Sequence, residues 1–444
     1  MGTVPFFLDR HIGERLDTLV RGDASLCVGL SGGLDSVVLL DLLGRNARDR
    51  RVCAVHVHHG LSPNADAWAE FCRELCAARG VPLAIERLRI DRSAPEGLEA
   101  AARAARYAVY AARPEDFVVL AHHLDDQSET VLLQLLRGTG LKGAAAMPEM
   151  RKLAQSGVRL LRPLLGVSRS ALEAHAKARG LRWIEDESNA SLRHDRNYLR
   201  HEIAPRLDER LPRWRDAAAR FARHAGAADA LLEDLARLDG LPESPGTDFV
   251  ADRRLPEARR ANLLRAFLAL NALAMPSEAR LADMTRQLFG ARGDTRVRIE
   301  HDGLAIVKFR DRVRLEPIVA AEGTWQYPWH GELEVDLGEA HGAVRFERAD
   351  GEGLALSRAG GDGWHFAGRS GGERLRLDPR RPTRTLKNLL QEHDVPPWER
   401  SRMPLLFHGE RLVWVPGVGL ETQYACLPGE PGLRPAWLPK GLKN

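Results

Sequence analysis

Six consecutive residues, Ser31-Gly32-Gly33-Leu34-Asp35-Ser36, place two glycines, two hydroxyls and a carboxylate directly behind an apolar run. Paired glycines let a backbone turn through torsions closed to other residues and approach a bound group closely. Amide groups left open at the start of a helix favour an anion there. Ser31 and Ser36 add hydroxyl donors, and Asp35 can hold a magnesium ion that phosphates also ligate. The plainer reading is a strand-to-helix turn with an Asp-Ser cap. The string is neither a Walker A loop, which needs Gly-Lys-Ser/Thr, nor the Gly-x-Gly-x-x-Gly of dinucleotide folds.

A second group, His122-His123-Leu124-Asp125-Asp126-Gln127-Ser128-Glu129-Thr130, concentrates imidazoles and carboxylates. Asp125 and Glu129 are four apart and so share a helix face. One carboxylate of this group could help hold magnesium. Another could bind a cation or serve as a general acid or base. Acids in a first helical turn also stabilise the helix, which accounts for one of the three but hardly for all beside two histidines. Arg103, Arg106 and Tyr107 share a face of the next candidate helix. Arg106 is the first candidate, and Arg103 the second, to stabilise charge on a reacting phosphate. His56, His58 and His59 have no cysteine or acid spaced to complete a metal set, so adenosine contact or strand-end packing is preferred. Glu185-Asp186-Glu187, with Ser188-Asn189 behind them, read by themselves as an ordinary acidic surface run.

The elements that must position these groups are legible as alternating patterns. Apolar runs at Leu26–Leu30, Val52–Val57, Pro82–Leu88 and Phe117–Ala121 alternate with helical stretches at Ala65–Arg79, Gly97–Arg113 and Ser128–Arg137. Repeated βαβ units imply an α/β fold with a doubly wound, buried parallel sheet. The phosphate-loop candidate, His56–His59 and His122–Glu129 all follow strands, at the carboxyl edge where such sheets bind ligands. Residues 1–205 are expected to form this domain. Ala/Leu/Arg-rich periodic stretches at Arg206–Arg237 and Arg253–Leu288 predict a helical middle domain over 206–320, and 321–444 reads as a C-terminal α+β domain holding six of the nine tryptophans.

The Ser-Gly-Gly-x-Asp-Ser string resembles the pyrophosphate-binding loop of the N-type ATP pyrophosphatases, the PP-loop superfamily, whose members cleave ATP between the α and β phosphates. His56-Val57-His58-His59-Gly60-Leu61, Gly97–Tyr107, Ala121–Thr130, Trp183–Asn189 and Asp195-Arg196-Asn197-Tyr198-Leu199-Arg200 together resemble the tRNA(Ile)-lysidine synthetase family. The likeness is dense over about residues 20–205. It returns in Leu386-Lys387 with Leu390-Gln391-Glu392, Val395-Pro396-Pro397-Trp398 and Pro404-Leu405-Leu406. The resemblance implies that a cytosine oxygen attacks the α-phosphate of ATP, releasing pyrophosphate, and that the amine of L-lysine then displaces AMP. It implies ATP contacts from Ser31 to Ser36 and from Val57 and His58. It also implies catalytic work by Asp35, which holds Mg2+, and by Arg106, His122, Asp125, Asp126 and Glu129. A tRNA(Ile) with a CAU anticodon is the implied RNA partner. A related PP-loop enzyme that thiolates a tRNA base is the alternative, but its iron–sulfur type needs Cys-x-x-Cys pairs. The competing class, an ATP-gated RNA binder without chemistry, would gain nothing from carboxylates beside its ligand. No glutaminase nucleophile motif supports an amidotransferase.

The 444 residues carry 65 basic and 61 acidic side chains, a net charge of +4, too mild by itself to indicate RNA. Basic clusters are more informative. Glu373–Lys387 holds Arg374, Arg376, Arg380, Arg381, Arg384 and Lys387, with Arg384 and Lys387 expected on one helix face after Pro382-Thr383. The stretch 193–223 carries nine arginines, Arg196 among them, against five acids. Arg103, Arg196, Arg380, Arg381, Arg384 and Lys387 are the candidate tRNA contacts. Five cysteines without a Cys-x-x-Cys pair argue against a zinc ribbon or an iron–sulfur cluster. With no signal-like start and no long apolar run, the expectation is a reduced cytoplasmic protein away from membranes. A homodimer is left open.

Overall fold

The computed structural model describes residues 4–90, 97–153, 156–185, 195–291, 297–318, 325–395 and 397–439. The chain divides into two compact units, Met1–Leu232 and Glu233–Asn444.

The first unit begins with α1 (Val4–Leu19), β1 (Ser25–Gly29), α2 (Leu34–Asn46), β2 (Arg51–His58), α3 (Ala65–Ala77), β3 (Leu83–Arg87) and α4 (Leu98–Ala111). There follow β4 (Phe117–Val119), α5 (Leu124–Leu136), a short α6 (Leu141–Ala144), β5 (Met150–Lys152), β6 (Arg159–Leu161) and α7 (Arg169–Ala178). After α8 (Asp195–Tyr198) comes one π-helical turn (Leu199–Ile203), then α9 (Ala204–Arg210) and α10 (Trp214–Leu238), whose last residues enter the second unit. Both faces of β1 are covered, which is why it reads as an unbroken apolar run. Leu26 and Val28 pack with residues of α1, α2, α3 and α7, whereas Cys27 joins Val55, Val118 and Tyr110 of α4.

The sheet runs β3-β2-β1-β4-β6-β5. All neighbours are parallel except β5, which lies antiparallel on β6 at the edge. That edge pair adds an antiparallel strand to the expected parallel sheet. The strand order reverses between β1 and β4, so the connections leaving their carboxyl ends diverge and leave a crevice between them. The phosphate-loop candidate leaves β1, and His122-His123 leave β4.

In the second unit, α11 (Glu257–Leu270) and α12 (Glu278–Gly290) bury Leu263, Phe267, Met284 and Leu288 in one core. Beside the expected helices this segment contains a four-stranded antiparallel sheet, β7 (Phe249–Val250), β10 (Arg312–Pro317), β9 (Leu304–Phe309) and β8 (Val297–His301) in spatial order. Val297-Arg298-Ile299-Glu300 and Arg312-Val313-Arg314-Leu315 alternate apolar with charged residues, a period-2 signal diluted by its charged half. Beyond residue 325 two further sheets share a tryptophan-rich core. Trp329 stacks on Phe346 at 4.5 Å and meets Trp364 edge-on at 5.5 Å. Among the described residues no helix is long and apolar enough to cross a membrane.

Candidate active site

The turn after β1 is shaped by its own side chains. Ser36 Oγ donates to the Gly33 carbonyl at 2.9 Å and accepts from the Ser31 amide at 3.2 Å, while the Gly33 amide donates to Ser31 Oγ at 3.3 Å. Gly32 has φ +88°, and a Cβ there would stand 2.7 Å from Ile184 Cδ1. The same residue's carbonyl accepts from the Ile184 amide at 2.9 Å, so the segment containing Trp183 and Ile184 backs the loop. Gly33 precedes α2 without a side-chain cap, leaving the helix N-terminus open toward an anion. Leu34 is buried beneath the turn.

Asp35, in the first turn of α2, has its Oδ1 buried without a hydrogen-bond partner. An oxygen in that state beside a phosphate-binding turn suits a hard cation that also ligates the phosphates, so Mg2+ fits this residue. Its Oδ2 lies 3.6 Å from His123 Nε2. His123, grouped with His122 and the acids in the sequence but given no role of its own there, links the two strand ends. It caps α5 by accepting from the Asp126 amide at 3.4 Å, and the Asp126 carboxylate accepts from the His123 amide at 3.1 Å in return. Burial opposes a charge on His123, but Asp35, Asp126 and Asp125 outweigh it and raise its pKa. A histidine directly before a helix that begins with two acids was the available signal.

The carboxylates of α5 do not act as one group. Glu129 is buried, and both its oxygens are taken: Arg196 Nε donates to Oε2 at 2.8 Å, Arg200 Nε to Oε1 at 2.7 Å and Arg200 Nη2 to Oε2 at 2.8 Å. Asp126 Oδ1 accepts from Arg196 at 2.8 Å and Arg200 at 3.2 Å. Burial would raise the Asp126 pKa, but His123 and Arg196 reverse this and hold it below the usual carboxylate range. Asp125 turns elsewhere. It accepts from the Arg169 amide at the start of α7 at 2.9 Å and pairs with Arg215 of α10 at 2.7 Å. The shared face expected for Asp125 and Glu129 is therefore not used, and Asp125 is a clasp between helices. Arg196, expected to face RNA, points inward, and Arg200 and Arg215 of the same basic stretch do likewise. The four-residue spacing of Arg196 and Arg200 could have revealed their common target.

On the α4 side, Arg106 has a buried Nε without a hydrogen-bond partner, as does His59 at Nδ1. Burial, then Arg106, lowers the His59 pKa to about 4. Arg103 lies over the Tyr107 ring at 5.0 Å, with Arg151 at 5.1 Å. His56 Nδ1 is 2.9 Å from the Leu30 carbonyl, and His58 Nε2 is 3.3 Å from Asp66. Val57 packs on the α4 side of the sheet. Glu185 is exposed, and Asp186 to Arg193 lie outside the described residues. Far from the crevice, Cys27, Cys53 and Glu115 bring ligand atoms within 4.8 Å of one another, but Arg113 already donates to both Glu115 oxygens at 2.9 Å.

Within the second unit, Arg384 lies in a two-residue strand, Arg384–Thr385, not on the helix Leu386–Glu392 that carries Lys387. It pairs with Glu392 at 2.6 Å, because the chain is still extended at that point and turns helical only afterwards. Arg376 is folded onto the carbonyls of Pro379 and Arg381. Arg380, Arg381 and Lys387 are exposed.

A parallel sheet with a glycine turn at its switch point, an open helix N-terminus and an acidic strand end opposite defines a PP-loop nucleotide-binding domain, and residues 8–207 match the PP-loop domain family model. Residues 253–314 match the TilS substrate binding domain and residues 365–437 the TilS substrate C-terminal domain. The chain is 45% identical to tRNA(Ile)-lysidine synthase of Azoarcus sp., covering 96% of this chain and 94% of that protein. It is 40% identical to that of Nitrosomonas europaea, covering 97% and 95%. The chain belongs to the tRNA(Ile)-lysidine synthase family. Among solved structures it is similar to the U34-tRNA thiolase NcsA from Methanococcus maripaludis, with TM-score 0.44 and 18% identity over 50% of this chain and 80% of that one.

Proposed function

We propose that this chain is a ligase that joins L-lysine to the wobble cytidine of the CAU-anticodon tRNA(Ile) at the expense of ATP. The product is lysidine, with AMP and pyrophosphate released through an adenylated cytidine. The modified tRNA would read AUA instead of AUG and carry isoleucine instead of methionine. The observation that carries this reading is chain-long similarity to lysidine synthases together with a phosphate turn that faces paired acids and arginines across one crevice.

In this reading the amides after Gly33 and the hydroxyls of Ser31 and Ser36 receive the phosphates, and Val57 and His58 lie along the nucleotide. Asp35 would hold Mg2+, which neutralises charge growing on the departing pyrophosphate. Arg106 offers an unpartnered donor to the same charge. The cluster of Asp126, Glu129, Arg196 and Arg200 carries both signs, two of each, and complements a zwitterionic amino acid. Asp126, bonded to both arginines and to His123 and held as a carboxylate by them, would bind the ammonium as a counter-charge. Arg103, Arg380, Arg381 and Lys387 would hold tRNA phosphates, and the enzyme would work in the cytoplasm.

Radiolabelled lysine incubated with ATP and a tRNA(Ile) transcript, followed by nucleoside analysis, tests this reading. Labelled lysidine should form, with AMP appearing only when lysine and tRNA are both present. The thiolation alternative predicts sulfur in the RNA instead; the absence of any Cys-x-x-Cys pair disfavours it.

A further inference from the structure

Arg162, immediately after β6, is 2% exposed, yet among the described residues no carboxylate pairs with it. Its Nη1 donates to the Pro148 carbonyl at 2.9 Å, and its Nη2 lies 3.5 Å from the Tyr107 hydroxyl. Its Nε donates to His122 Nδ1 at 3.3 Å. An unpaired buried guanidinium is costly to keep, and its neighbourhood adds to the cost, because Arg103 and Arg151 flank the same tyrosine. Packing alone would be served by an apolar side chain of similar volume.

The hydrogen bond to His122 gives the guanidinium a task. A guanidinium has only N–H groups to offer and cannot accept. The Nδ1 atom facing it must therefore present a lone pair, which leaves the single proton of a neutral imidazole on Nε2. The groups around the ring are Asp126, Arg162, Arg196 and Arg103, one acid against three cations. Protonation of Nδ1 would set an imidazolium against Arg162. Burial and these arginines push the His122 pKa down to about 3, against the pull of Asp126. Among the described residues, no hydrogen bond is made by Nε2.

We infer that Arg162 is a positioning residue that holds His122 as the Nε2–H tautomer, so that His122 gives a hydrogen bond to the reacting groups and does not act as a base. The inference rests on the ligase reading for what the donor serves. A non-bridging oxygen of the α-phosphate, which gains negative charge as the cytosine oxygen attacks and pyrophosphate leaves, is the chemistry a neutral N–H at this strand end can stabilise. His123, one residue on, cannot take this part, because its ring caps α5 and faces Asp35.

The test begins on the unmodified full-length protein labelled with 15N-histidine. The His122 signals are assigned as those lost in His122→Gln. The expected spectrum has a pyridine-type Nδ1 and a pyrrole-type Nε2, unchanged between about pH 5 and 8, the span in which an ordinary histidine titrates. A pyrrole-type Nδ1, or a ring that titrates in that range, would overturn the inference whether or not the protein ligates lysine. In Arg162→Met the tautomers should mix and kcat for ligation should fall about 100-fold, the loss typical of one oriented donor, with KM for ATP changed less than about threefold. Arg162→Lys, which keeps the charge and a donor, should recover part of the lost kcat. His122→Gln, whose amide nitrogen stands near the position of Nε2, should retain more activity than His122→Ala. Equal activity of these two variants would refute the donor role even if Arg162→Met does not fold.

Discussion

Arg200 meets Glu129 side-on, Nε to Oε1 at 2.7 Å and Nη2 to Oε2 at 2.8 Å, in a place where the Glu129 side chain is only 4% exposed. Arg196 completes the arrangement from the preceding helical turn. Glu129 is thus the anchor that brings two guanidiniums from beyond residue 194 against the crevice. Breaking a buried pair by removing one member leaves the other charge stranded. Glu129→Gln should therefore lower stability by about 3 kcal/mol, seen as a lower urea midpoint, and should also weaken lysine binding. A variant as stable as the parent would mean that the arginines are not held by this carboxylate.

The two loop glycines should respond differently to a methyl group. At Gly32 the backbone has φ +88° and a Cβ would press on Ile184, so Gly32→Ala is strained twice over. A loss of about 2 kcal/mol in stability and of nucleotide affinity is expected. Gly33 has φ −72°, and its nearest obstacle, Ser31 Oγ, is 3.4 Å away. Gly33→Ala should fold normally, within about 0.5 kcal/mol, and lose affinity for ATP only, as equilibrium dialysis with labelled nucleotide would reveal. Equal stability losses in both variants would contradict this division.

Asp35 should separate folding from chemistry in another way. Its Oδ1 has no hydrogen-bond partner to lose, and its Oδ2 gives up only a 3.6 Å approach to His123. Asp35→Asn is expected to melt like the parent while AMP release falls at least about 100-fold, with a weakened response to added Mg2+. Retained turnover would remove Asp35 from the magnesium site.

Much of this arrangement is legible in the sequence. The βαβ alternation predicted strands that the structure contains, because both faces of β1, β2 and β4 are covered and their runs are plainly apolar. Ser31–Ser36 and His122–Glu129 were placed at strand ends by the same pattern. What stayed hidden was direction. Spacing placed Asp125 and Glu129 on one helix face, but not that Asp125 turns to Arg169 and Arg215 while Glu129 turns to Arg196 and Arg200. These partners are 40 or more residues away, and the competition among arginines for acids is decided by tertiary packing. The sheet of β7–β10 is faint in the sequence because its outward positions are charged.

Within the second unit, Glu316 on β10 gives a pH dependence whose sign can be worked out. Burial raises its pKa to about 7, against the pull of Arg314, Arg298 and Arg402 and with a push from Glu399. A carboxyl with a folded pKa above its unfolded value binds its proton more tightly when folded. Its contribution therefore favours folding at low pH and is lost as pH rises from about 4.5 to about 7. Glu316→Gln should be more stable than the parent at pH 8, by up to about 3 kcal/mol, and nearly equal to it at pH 4. Urea titrations at the two pH values give the comparison, and a parent advantage at pH 8 would reverse the assigned sign.

The basic segment near residue 380 can be sorted by what each cation already holds. Arg384 is engaged by Glu392, and Arg376 is folded onto two carbonyls of its own loop. Arg380 and Lys387 are exposed, and the Arg381 side chain is 79% exposed with its nearest acid, Asp378, 3.7 Å away. Cations that are free, or held only by a long exposed pair such as Arg381–Asp378, release counterions when they meet phosphates, so each one removed should lessen the salt dependence of tRNA affinity. Replacing Arg380, Arg381 and Lys387 together by alanine should weaken tRNA binding about tenfold or more, and flatten the plot of log affinity against log salt by roughly one unit per true contact. Arg384→Ala should change that slope little, because its guanidinium would first have to leave Glu392. Filter binding over a salt series distinguishes the two. If Arg384→Ala flattens the slope as much as the triple variant, the pair with Glu392 opens on binding, and the sorting of these cations by their present partners is wrong.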